Sequence, residues 1–163
     1  MATLRETVTP ALLLHRLKLE ANVKRLQRSL MPHRVALRPH VNTVKNVEAV
    51  RMAFGGGTGP MTVSTLAEAD HFFAHGFEDV LYAVGMAPVK LPRVEVLVRL
   101  KVILDTVEAA AALRDYCRRH NVRIPAYVEI DTDGHRGGGL PRPLVCSRSA
   151  APSTPPEAHC CMA

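Results

Sequence analysis

The chain has 163 residues, 47% of them hydrophobic, which is enough for one ordinary buried core and speaks against a chain disordered by composition. Its 21 Lys and Arg against 15 Asp and Glu give +6, but the excess is spread along the chain and only 4% of residues are aromatic, so neither a basic block nor a stacking platform points to nucleic acid. No apolar run approaches the roughly 18 to 20 residues of a membrane span, and no secretory leader opens the chain, so the expectation is a cytoplasmic protein without nucleic acid or membrane as partner.

Short aliphatic runs alternate with longer stretches of helical period over residues 9 to 136, which predicts parallel strands joined by helices. The expected strands are 11–14 (ALLL), 34–37 (RVAL), 61–65 (MTVST), 79–84 (DVLYAV), 101–105 (KVILD) and 126–131 (AYVEID). Leu17, Ala21, Val23, Leu26 and Leu30 mark a helix in the first gap, and Val107, Ala110, Ala111, Leu113 and Tyr116 mark one in the fifth. Further helices are expected near 47–54, 66–75 and 89–98. A repeat of roughly 20 to 27 residues suits the βα unit of an eight-stranded barrel of about 250 residues. The dinucleotide fingerprint that would favour an open doubly wound sheet is absent. The glycines of GGGTGP at 55–60 lack the Lys-Ser/Thr of a phosphate loop and precede a strand, so they read as a helix stop and turn.

At Gly137 the character changes, with five prolines in the last 27 residues and no strand or helix period. Residues 139–163 are expected to be a disordered tail, either natural or the product of a reading-frame change. Cys117, Cys146, Cys160 and Cys161 show no disulfide or zinc spacing.

The segment LRPHVNTVKNVEAVR at 37–51 leaves the second expected strand at the end where barrel active sites assemble. Thr65 and Asp105 close later strands and can either face that mouth or cap the following helices; capping is favoured, because STLAE and DTVE both start a helix well. His71 and His75 have the i, i+4 spacing of a metal pair but no third ligand, which favours a packing or surface role.

Residues 37–51 resemble the RPH-x-K-T-x-K signature of the D-threonine aldolase and D-serine dehydratase group, within the alanine racemase-like, fold type III pyridoxal-phosphate enzymes. Arg38, Pro39, His40, Thr43 and Lys45 match it. The likeness continues through residues 59–94, 100–113 and 129–138 in the same order. It implies a partial barrel domain over residues 1–138, an α/β fold with about five of eight barrel strands, preceded by ALLL as the entry strand of the family's second domain. Pyridoxal 5'-phosphate and a small D-amino acid such as D-threonine or D-serine are the implied cofactor and substrate.

In that family the first signature lysine carries the cofactor as a Schiff base. Position 42 is Asn here, and an amide nitrogen delocalised into its carbonyl is no useful nucleophile. Lys45 is the alternative amine, though it matches the family's second lysine; its plainer role is a first-turn lysine of the next helix, solvated or against an acidic neighbour. By the same resemblance His40 lines the cofactor site and Arg136 approaches the cofactor's phenolic oxygen. The family usually has an acid where this chain has His15. Its divalent metal, held in a C-terminal β-domain, is not expected, and His159, Cys160 and Cys161 imitate such a cluster in composition only. The function implied is a fragment or degenerate member of the D-amino-acid lyases without competent catalysis. The alternative is a non-catalytic cofactor-binding or regulatory module associating with an intact paralogue, and open barrel edges offer a route for that association.

Overall fold

The computed structural model describes residues 4–97 and 99–131. It divides into two compact units, Met1–Leu37 and Arg38 onward. The first unit carries one long helix, α1 (Arg16–Leu30), followed by a 3-10 turn at Met31–His33. His15 caps α1: its Nδ1 accepts the Lys18 N–H at 3.3 Å, an N-terminal role that an acidic side chain fills equally well. Arg16 and Glu20 pair across one turn, and no residue of α1 is buried.

The expected strand at 11–14 does not form. Leu12 is fully exposed, and no strand among the described residues pairs with this segment, so its backbone groups have no ladder to join. The strand expected at 34–37 is displaced rather than lost. Arg34 turns the chain left-handed (φ 54°) at the end of the 3-10 turn, and sheet pairing begins only at Pro39–Val41, where Thr62 N–H donates to Pro39 O and Val41 N–H to Thr62 O, both at 2.9 Å. Pro39 fits this place because the pairing uses its carbonyl and needs no N–H.

The second unit is built on four parallel strands, β1 (Met61–Val63), β2 (Val80–Gly85), β3 (Leu100–Leu104) and β4 (Ala126–Val128), lying side by side in chain order, with residues 39–41 as a bridge beyond β1. Helices α2 (Val47–Ala53), α3 (Leu66–Ala74), α4 (Leu91–Val96) and α5 (Val107–His120) fill the gaps. An unreversed strand order with each crossover made by a helix is the arrangement of a (β/α) barrel arc, not of a doubly wound sheet whose order switches direction.

One sheet face makes the core. Met61, Val63, Val80, Tyr82, Leu100 and Val102 are 0 to 1% exposed and pack with Ala69 and Phe72 of α3, Leu91 and Val94 of α4, and Leu113 and Tyr116 of α5. The alternate residues of β2 and β3, Leu81, Ala83, Lys101 and Ile103, belong to the opposite face and stay partly exposed. Helix ends follow the sequence: Gly55 and Gly56 adopt positive φ (65° and 95°) to stop α2, and Thr65 and Thr106 cap α3 and α5. Arg118 and Arg119 lie in the last turn of α5, where positive charge suits the helix dipole.

Candidate functional site

Strand direction gives the sheet two chemically different ends, and the signature segment supplies both. Arg38, before the bridge, turns to the end where strands begin. Its guanidinium donates to Met61 O (3.2 Å), Asp79 O (3.4 Å) and Asp79 Oδ2 (2.8 Å), while Lys101 Nζ donates to Asp79 Oδ1. Burial pushes the Asp79 carboxyl up, but hydrogen bonds from Lys101 and Arg38 and their charges outweigh it and hold the group below its ordinary value. This cluster ties three neighbouring strands together at the end of a barrel concerned with stability rather than chemistry.

His40 to Lys45 lie at the other end, beside the residues that follow β1. The Asn42 backbone N–H donates to His40 Nδ1 at 3.4 Å, and His40 Nε2 lies 3.4 Å from Ser64 Oγ. Asn42 itself is exposed. Lys45 is not in the helix expected to hold it: it precedes α2 with a left-handed backbone (φ 42°), and Asn46 is the cap, accepting the Ala49 N–H at 2.9 Å. Lys45 N–H donates to Val41 O at 3.0 Å, closing a tight turn over residues 41–45. Its ammonium lies 3.0 Å from Glu68 Oε1.

Glu68 is buried, at 7% exposure, in the first turn of α3. Its Oε2 accepts the Ser64 N–H at 2.9 Å, and its own N–H donates to Thr65 Oγ1 at 3.1 Å. The carboxyl is held below its ordinary value: burial opposes ionisation, and the Ser64 N–H and the Lys45 ammonium overcome it. Thr65 therefore caps, as expected. Asp105 does not: Thr106 accepts the Ala109 N–H (3.1 Å) in its place, and the Asp105 carboxylate lies over the end of β2. Only glycine leaves room for it, since a Cβ at Gly85 would sit 2.4 Å from Asp105 Oδ2.

His71 and His75 lie one turn apart with their rings tilted at 53° to each other and ring centres 4.6 Å apart, and His75 Nδ1 is 2.7 Å from His71 O. Among the described residues no group of three His, Cys, Asp or Glu side chains converges on a metal position, and no helix is long and apolar enough to cross a membrane. Arg136, His159, Cys160, Cys161 and the segment 139–163 lie outside the described residues.

Residues 14–151 match the model of the alanine racemase N-terminal domain, well over half of the chain. The chain belongs to that family. Within it, this member of the fold type III pyridoxal-phosphate group is 42% identical over 134 residues to D-threo-3-hydroxyaspartate dehydratase of Delftia sp. (strain HT23), covering 80% of this chain and 35% of that one. It is 31% identical over 121 residues to D-serine dehydratase of Dictyostelium discoideum, covering 66% of this chain and 30% of the other. The solved Delftia dehydratase superposes with a TM-score of 0.80 over 85% of this chain and 38% of that one. D-threonine aldolase from Filomicrobium marinum superposes at 0.73 with 25% identity, over 85% of this chain and 38% of the aldolase. The chain thus spans about a third of the length of the curated relatives it matches. The sheet is accordingly an arc of the barrel that the alanine racemase-like group shares.

The residues at the mouth do not fit covalent attachment of the family cofactor. Asn42 offers an amide, and the Lys45 amine is engaged by a buried carboxylate contributed from 23 residues further along the chain. Ser64 and Glu68 are the mouth residues that sequence reading did not single out. Glu68 was visible as the closing acid of a capping box, but its tie to Lys45 depends on how two loops meet.

Proposed function

We propose that this chain is a catalytically silent member of the pyridoxal-phosphate D-amino-acid lyases, related to enzymes acting on β-hydroxy D-amino acids but unable to hold the cofactor covalently. The observation that carries the reading is the state of positions 42 and 45 at the mouth: position 42 has no nucleophile, and Lys45 is bound to Glu68. Noncovalent contact through His40 is compatible with it, and Arg136 is the residue proposed to meet the phenolic oxygen. The test is incubation of the purified chain with pyridoxal 5'-phosphate, borohydride reduction and peptide mass mapping. The expected result is no stoichiometric adduct and no turnover of D-serine or D-threonine, whereas Asn42→Lys gains an adduct at position 42 and a visible absorption band. A stoichiometric adduct at Lys45 that Lys45→Arg changes in absorbance would overturn the reading. Saturable binding without an adduct favours a non-catalytic binding module within the same family.

A further inference from the structure

Around Asn42, hydrogen bonds and one ion pair follow one another between the 40–45 loop and the start of α3. From the loop, Asn42 N–H meets the His40 ring and His40 Nε2 meets Ser64 Oγ; Ser64 N–H meets Glu68 Oε2, Glu68 Oε1 meets the Lys45 ammonium, and Lys45 N–H returns to Val41 O. We propose that Glu68 is the positioning residue for site residue 42, its carboxylate pinning Lys45 and thereby fixing the 41–45 turn against the start of α3.

Three observations go beyond ordinary helix capping. In a capping box the acid reaches back to the cap residue's own N–H, whereas Glu68 Oε2 accepts the N–H of Ser64, one residue before the cap Thr65. The second Glu68 oxygen, buried and without a hydrogen bond among the described residues, forms an ion pair at 3.0 Å with the Lys45 ammonium, whose side chain is 60% exposed. Lys45 also holds a left-handed backbone, a conformation that costs a non-glycine residue and persists where surrounding contacts over-determine it. The ammonium–carboxylate contact spans from this left-handed residue to the neighbouring βα unit. The value of a fixed position 42 rests on the functional reading above; the tie itself does not.

The primary test therefore uses no cofactor. Amide hydrogen exchange is measured on the full chain, on Glu68→Gln, and on Lys45→Met and Lys45→Arg. Loss of the charge-assisted contact is expected to speed exchange of the Lys45 amide about tenfold in Glu68→Gln and Lys45→Met, with the α3 and β2 amides unchanged and Lys45→Arg close to the parent. Faster exchange confined to the first turn of α3, or an unchanged Lys45 amide in Lys45→Met, overturns the proposal and leaves Glu68 as a helix cap. General loss of protection in Glu68→Gln is resolved by Lys45→Met, which leaves the Ser64 and Thr65 contacts of Glu68 in place. A second arm adds Glu68→Gln to Asn42→Lys and measures the borohydride-trapped adduct with pyridoxal 5'-phosphate, expected to fall about tenfold on the same grounds. An adduct absent from Asn42→Lys alone counts against the functional reading, whereas an adduct indifferent to Glu68→Gln counts against the positioning role.

Discussion

The two faces of the four-stranded sheet have different sequences and different burial. Under the helices, Met61, Val63, Val80, Tyr82, Leu100 and Val102 are large apolar groups with almost no exposure, followed by Leu104 at 7%. On the other face β2 and β3 present Leu81, Ala83, Lys101 and Ile103, all partly exposed. Among the described residues, burial is concentrated in the layer between sheet and helices. Chemistry in this architecture is held at the strand ends, apart from the packed helix layer.

The comparison can be broken most directly from the helix side. Phe72 is fully buried and meets Phe77 edge-on at 5.4 Å, so Phe72→Ala is expected to cost about 3–5 kcal/mol in urea unfolding. A loss below about 1 kcal/mol would mean that this layer is not the core. Asp79 gives an intermediate effect. Asp79→Asn leaves Arg38 and Lys101 without their shared carboxylate, and with Asp79 39% exposed, solvent screening limits the expected loss to about 1–2 kcal/mol near neutral pH. Because the folded carboxyl titrates below its unfolded value of 3.8, this stabilisation is present above that pH and disappears as pH falls through the folded value. Parent and variant should converge in acid; a constant gap down to strong acid would show that the contribution is not ionic. The smallest effect is expected on the open face, where Ile103→Thr should change stability by less than about 1 kcal/mol, against a larger loss for Val102→Thr one residue away. Equal losses at 102 and 103 would mean that both faces are covered.

Most of the α/β alternation was legible, because aliphatic runs such as 101–105 and helical periods such as 107–116 encode burial directly. The failures fall where pairing, not pattern, decides. Ala11–Leu14 has the composition of a strand but no strand partner among the described residues, and 34–37 yields to a pairing that starts at Pro39, where the chain first reaches β1. At the site, the missing amine at position 42 was plain from residue identity alone. Asp105 and Thr106 are adjacent and equally suited to the cap, and only the backbone geometry assigns the role to Thr106. The Glu68–Lys45 contact was beyond reach, since 23 residues and a strand separate its partners and no local period joins them.

The unreversed strand order has a kinetic meaning. The paired residues Met61 and Val80, Val80 and Leu100, and Val102 and Ala126 are 19, 20 and 24 positions apart, so each addition to the sheet closes a loop of nearly the same modest length. Assembly can proceed one βα unit at a time, each strand taking its register from the unit just laid down. Asn42 stands outside every one of those steps. It lies on the loop between the bridge at His40 and α2, outside the paired residues of the four strands.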